Sequence, residues 1–137
     1  MAPRGGGIKR SSQLTFRRRL LLVRLLLRGP ATAEALIAAV QRELGEQGYP
    51  AAATAALKHD LNALKAEFGC RMVHRRDAGG YVLEDLGNLA LLDLSDTARE
   101  ALRFLDATFP PGATAPEAAS VRVLLDQVRL MAPVERQ

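Results

Sequence analysis

The stretch CRMVHRRDAGGYVLED, residues 70–85, limits the fold more than any other part of the chain. Two short runs, CRMVHRR and YVLED, flank Asp77-Ala78-Gly79-Gly80. Asp and Gly at such a junction are turn chemistry, so the segment is predicted as a β-hairpin. Three helical segments precede it and two follow. Three helices and then a two-stranded hairpin is the order of a winged helix-turn-helix. The predicted class is mainly α with a small β-hairpin, a winged helix-turn-helix followed by two C-terminal helices.

The helices are read from periodicity and end signals. The first is expected over about Gln13–Leu27, capped by Ser11 or Ser12 and ended by Gly29-Pro30. The second follows Thr32 as N-cap, with Glu34 in its first turn and Leu36, Ile37, Val40 and Leu44 as its buried stripe. Gly45 and Gly48 mark its end, and Tyr49-Pro50 makes a turn. The third runs over about Ala51–Glu67, with Gly69 at the expected left-handed stop. Residues Leu89–Leu94 form an apolar connector that could extend the sheet. Ser95 caps a fourth helix over 96–108, with Ala98, Ala101, Leu102 and Leu105 inward. A fifth, over 116–131, starts with Pro116 in its first turn. Its stripe is Val121, Leu124, Leu125, Val128 and Met131. The predicted organisation is a disordered basic arm over 1–12, the winged unit over 13–87, a helical connector or dimerisation segment over 88–132, and a tail over 133–137.

Lys58, His59 and Asp60 stand side by side in the third helix, and their types suit proton transfer or metal binding. Helical geometry argues against both. On a wheel of about 100° per residue, Leu57, Leu61, Leu64 and Phe68 share one narrow sector. His59 falls nearly opposite, with Ala52, Ala55, Asn62 and Ala66. Lys58 and Lys65 lie on one flank, Asp60 and Glu67 on the other. Adjacent residues on a helix do not face each other. A helical metal pair would want ligands at i and i+4, and His59 has Ala55 and Ala63 there. His74 and Cys70, four apart in a strand, would sit roughly 13 Å apart, too far for one ion. No catalytic residue, metal ligand or cofactor is assigned, and nothing resembling an enzyme's phosphate loop or nucleophile motif is found.

Charge points elsewhere. The chain of 137 residues has a net charge of +4, but its distribution is uneven. Residues 1–28 hold eight basic and no acidic residues; 29–87 hold six and eight; 88–137 hold five and seven. A basic end suits nucleic acid, an anionic membrane or export. FRRRLLLVRLLLRGPATA imitates a signal peptide, but Arg24 cuts its apolar run into pieces of four and three. An h-region needs roughly 7–15 continuous apolar residues, so export is set aside. No stretch approaches the roughly 20 apolar residues of a membrane span. One cysteine, Cys70, excludes an internal disulfide. A cytoplasmic, nucleoid-associated protein is expected.

The face of the third helix opposite its core stripe is small and nearly uncharged, which allows close approach to a major groove about 12 Å wide. Asn pairs with adenine, alanine touches thymine methyls, and Lys and His donate to bases or phosphates. The candidate DNA contacts are Thr54, Lys58, His59 and Asn62 on this helix. Arg75 and Arg76 on the hairpin, Arg17 and Arg18 on the first helix and Arg10 on the arm would hold phosphates. Arg17, Arg24 and Arg28 recur on one face of the first helix. Each group also reads as an ordinary solvated surface; together, in a helix-turn-helix order, they favour duplex DNA. The alternative is a winged-helix protein-interaction or adaptor module without DNA binding.

The stretches RRRLLLVRLLLRGPATAEALIAAV, AALKHDLNALKAEFGC, GGYVLEDL and LLDLSDTAREAL resemble the N-terminal portion of WYL-domain bacterial transcriptional regulators, with a DeoR-like winged helix-turn-helix. The resemblance covers about residues 14–132. Asp60-Leu61, Phe68-Gly69 and Gly79-Gly80-Tyr81 match the family pattern. Where the family usually has Arg-Thr this chain has Ala55-Ala56, and where it usually has Arg before Asp it has His59. The resemblance implies transcription regulation. The apolar stripe of the fifth helix is more than a small winged domain need cover, so a homodimer through the C-terminal helices is expected, with docking onto a missing sensor domain or packing back on the winged unit as the alternatives. The family continues into a sensor domain; this sequence stops at Gln137, so a truncated form, a natural short form or part of a split regulator is expected, and no sensing function is carried over.

Overall fold

The computed structural model describes residues 4–45 and 48–133, with side chains described from Ser12 onward. In chain order the elements are α1 (Arg4–Arg28), α2 (Ala33–Leu44), α3 (Ala53–Phe68), β1 (Arg71–Arg75), β2 (Gly80–Asp85), α4 (Asp96–Thr108) and α5 (Ala118–Met131). A single 3-10 turn, Gly87–Leu89, follows β2. The molecule is mainly helical with a small antiparallel hairpin, a winged helix-turn-helix followed by two helices.

The predicted end signals work as local chemistry demands. Thr32 Oγ1 accepts from Ala35 N at 3.1 Å and starts α2. Ser95 Oγ accepts from Ala98 N at 3.2 Å and starts α4. Each oxygen satisfies an amide that the first helical turn leaves without a partner. Gly69 ends α3 at φ 72°, ψ 19°, a left-handed geometry that a Cβ disfavours.

Three boundaries differ from expectation. α1 begins at Arg4, so most of the segment expected as a disordered arm is helix. Once the Leu-rich half has nucleated, each further residue adds one hydrogen bond, and the helix extends through Gly5–Gly7. Ser11 and Ser12 are therefore interior rather than capping. α5 starts at Ala118, because Ala118 N bonds Ala115 O in a turn that holds Pro116 outside the helix. Residues 90–94 do not extend the sheet. The Leu92 amide donates instead to Met131 O at 2.9 Å, at the end of α5.

The core lies where α1, α2, α3 and the hairpin meet. Leu22, Leu36, Val40, Leu57, Leu64 and Met72 are all buried to below 2% exposure or at it. Burying a Leu or Met fully contributes about 1.5–3 kcal/mol each. The hairpin pairs Met72 with Leu83 and Arg75 with Gly80. It docks onto the α1–α2 link through a reciprocal bridge: Ala31 N donates to Tyr81 O at 3.1 Å, and Tyr81 N donates to Ala31 O at 2.8 Å. Gly80 permits this approach. A Cβ there would lie 2.8 Å from Thr32 N and closer still to the Ala31 carbonyl.

α5 leans on α1, and Gln127 Nε2 donates to Leu27 O at 3.3 Å. α4 packs on α5, and no described residue of α4 is fully buried. Asp106 ties the two together by accepting from Arg122 and pairing with Arg129. No described helix is long and apolar enough to cross a membrane.

Candidate nucleic-acid interface

α3 divides into two faces. Leu57, Leu61 and Leu64 are buried, whereas Thr54, Ala55, Lys58, His59 and Asn62 are exposed. Lys58, His59 and Asp60 point apart, as helical spacing requires. Among the described residues, no three His, Cys, Asp or Glu side chains gather as a metal site. His74 is exposed, with its ring edge-on to Tyr81 at 5.1 Å. Cys70 is buried, and its Sγ donates to Leu86 O at 3.2 Å. Burial pushes its thiol up, so it stays protonated and unreactive.

The sequence reading missed the role of Asp60. It lies on the flank of the core stripe and is the only charged side chain buried among the described residues. Arg18 binds it twice, through Nε to Oδ2 and through Nη2 to Oδ1 at 3.1 Å. Arg19 Nε donates to Oδ1 at 3.1 Å. The Tyr49 hydroxyl donates to Oδ2 at 2.9 Å. The Arg18 guanidinium also lies over the Tyr49 ring, 5.0 Å from its centre. Burial pushes the Asp60 carboxyl up, but hydrogen bonds from Arg18, Tyr49 and Arg19 outweigh that and hold it below its ordinary value. Burial also pushes the Tyr49 phenol up, and the Asp60 charge adds to it. The network joins α1, α3 and the α2–α3 turn at one point. A buried aspartate needs such partners, because desolvation alone would cost several kcal/mol.

This network corrects the place assigned to Arg18. It was expected to hold phosphate, but its side chain is only 15% exposed and both sides of its fork serve Asp60. Arg19 bonds both Asp60 and Glu67, the second at 3.4 Å. The two acids of α3 are therefore matched by the paired arginines of α1. Apart from Glu67, which stays 56% exposed beside Arg19 on the flank, the outward side chains of α3 are neutral or basic.

The hairpin is corrected in part. Glu84 pairs with both Arg71 and Arg75, so Arg75 is not a free cation. Arg76 stands exposed in the turn, beside exposed Asp77, with no ion-pair partner among the described residues. Arg17, Arg24 and Arg28 are exposed as expected. Their direction is the surprise. Arg18, Leu22 and Leu26 mark the side of α1 turned toward α3, and at about 100° per residue the other three arginines fall roughly opposite. Arg24 and Arg28 line a surface recess with Arg42 and Glu43 of α2. The basic stripe of α1, Arg17 included, thus does not join the outward face of α3. Arg10 lies in the helical N-terminal part, and its side chain is outside the described residues.

Of the nine expected contacts, the structure gathers Thr54, Lys58, His59 and Asn62 on one face of α3 and leaves Arg76 free on the hairpin turn. Among protein-family models, curated proteins and solved structures, none matches the chain.

Proposed function

We propose that this chain is the DNA-binding module of a transcriptional regulator, with α3 entering the major groove of duplex DNA. One observation carries the reading: the exposed face of α3 is small, polar and free of unmatched acid. Asp60 is buried, and Glu67 is held by Arg19. Lys58, His59, Asn62 and Thr54 would approach base edges and phosphates, with Ala55 small enough not to hold the helix away. Arg76 would meet a phosphate beside the groove. The resemblance of residues 14–132 to the DNA-binding part of WYL-domain regulators supports the same reading from the sequence side.

Binding that rests on few phosphate contacts falls with salt, by a slope of about 0.9 per neutralised phosphate. Selection of bound DNA from a random pool, followed by anisotropy titration, is the test. The double variant His59→Ala, Asn62→Ala should lose preference for the selected sequence by roughly tenfold or more. Arg76→Ala should weaken all sequences alike and lower the salt slope by about one. No binding at low salt, or a preference untouched by the double variant, refutes the assignment.

A further inference from the structure

Arg18 and Arg19 hold Asp60, Arg71 and Arg75 pair with Glu84, and Arg122 and Arg129 pair with Asp106. Arg17, Arg24, Arg28 and Arg42 have no such acid. All four are exposed, and none has an ion-pair partner among the described residues. They also fall together. Arg24, Arg28 and Arg42 line a recess of about 210 Å³ between α1 and α2, with half-buried Leu21 and Leu25. Arg17 extends the row along α1, seven residues before Arg24 and within about 40° of both other α1 arginines on the wheel. The row therefore spans roughly 16 Å at about 1.5 Å per residue. Glu43 also lines the recess but pairs with none of its arginines, so the recess keeps a net positive charge. A helix dipole favours a cation in the last turn, where Arg28 and Arg42 stand; it gives no reason for Arg17 or Arg24.

Guanidinium groups are the donors that fit phosphate oxygens two at a time. A row of this length suits an anion that repeats, and like charges gathered over apolar side chains focus the field toward it. The apolar surroundings favour a phosphate backbone over the other polyanions. Phe16 and Leu20 lie beyond the arginines on the side of α1 away from the recess, and α2 exposes no large apolar side chain. A bilayer or a protein partner would call for such side chains on the ledge itself. A phosphate backbone needs only charge and donors.

The ledge and the outward face of α3 point in opposite directions. Asp60 marks the side of α3 turned to α1, and Lys58 and Asn62, two positions either way, each fall roughly 160° from it. The ledge, in turn, is on the side of α1 away from α3. A straight duplex seated on α3 does not reach it. We propose that Arg17, Arg24, Arg28 and Arg42 bind the phosphate backbone of a second DNA duplex without regard to sequence, so that one chain bridges two segments. The bridge rests on the reading of α3 as a DNA-binding helix, whereas the ledge's own hold on DNA does not.

A pull-down reads the bridge. The full chain is loaded on beads that carry a duplex selected through α3, and capture of a second, fluorescent duplex of unrelated sequence is measured at low salt. Arg24→Ala, Arg28→Ala and Arg42→Ala together should cut capture by about tenfold or more and lower its salt slope by roughly 2.7, at about 0.9 per phosphate. Preference for the selected sequence should survive in this variant. Lysine at the same three positions should keep at least about half the capture, because the charge stays. Sedimentation in excess duplex should give two duplexes per chain. The variant His59→Ala, Asn62→Ala separates the two sites: anisotropy with unrelated duplex should still fall when the three alanines are added to it, even where the α3 assignment fails. Circular dichroism confirms that each variant is folded. Capture untouched by the three alanines, or one duplex per chain, overturns the proposal. So does a ledge that takes up poly-glutamate or phosphatidylserine vesicles and no duplex.

Discussion

The winged unit and the α4–α5 pair are held together by different means. The first encloses Leu22, Leu36, Leu57 and Leu64 at or below 1% exposure, and adds a buried aspartate satisfied on both oxygens. The second buries only Ala118 and Leu125 among its described helical residues, while Phe104, Val123 and Leu124 remain more than half exposed. Its cohesion rests on ion pairs around Asp106 and on the lean of α5 against α1. Surface ion pairs contribute little. The winged unit is therefore expected to carry the global stability, with the helical pair opening first.

The largest effect that would break this contrast is Asp60→Ala. It leaves Arg18, Arg19 and Tyr49 without their common partner and should cost about 3–5 kcal/mol in denaturant unfolding. A loss under about 1 kcal/mol would show that the network is decoration. Leu57→Ala should cost about 2–5 kcal/mol on the same measurement, because Leu57 sits at 1% exposure inside the core. Leu125→Ala, equally buried at 1%, should act locally. Amide exchange should rise through α4 and α5 while the slowest amides of α2 and α3 keep their protection. A matching fall in both regions would make the molecule a single cooperative unit.

Acid provides a finer test. The folded Asp60 carboxyl lies below its ordinary value of 3.8, so the folded state holds fewer protons than the unfolded chain in that range. The stability it contributes is complete above 3.8 and is lost as pH falls through the lower folded value. Asp106 acts with the same sign, because hydrogen bonds from Arg122 and Arg129 hold its carboxyl down. Asp60→Asn should flatten the acid loss of global stability. The smallest effect belongs to Asp106→Asn, which should change acid dependence only in the exchange of α4 and α5.

Much of this fold was legible in the residues. The order of elements, the caps at Thr32 and Ser95, the stop at Gly69, the hairpin at residues 70–85 and the outward set Thr54, Lys58, His59 and Asn62 all follow from spacing and turn chemistry. The roles of Asp60 and Arg18 did not. A signal was present: Asp60 borders the apolar sector of its own helix, and an acid in that position needs a cation. The sequence does not say which cation, since Arg18 stands 42 residues away. Nor does it separate Arg75, captured by Glu84 across the hairpin, from Arg76 one residue on.

By itself the sequence determined what depends on neighbours three or four residues apart, or two apart in a strand: helix faces, caps and the turn. Those preferences arise from backbone sterics and local hydrogen bonds, which do not need the rest of the chain. The tertiary structure decided which charges meet. It sank Asp60 among Arg18, Arg19 and Tyr49, turned the free arginines of α1 away from α3, and locked Ala31 to Tyr81. Pairing of this kind depends on how α1 crosses α3, and that crossing is set by burial of side chains from every part of the winged unit at once.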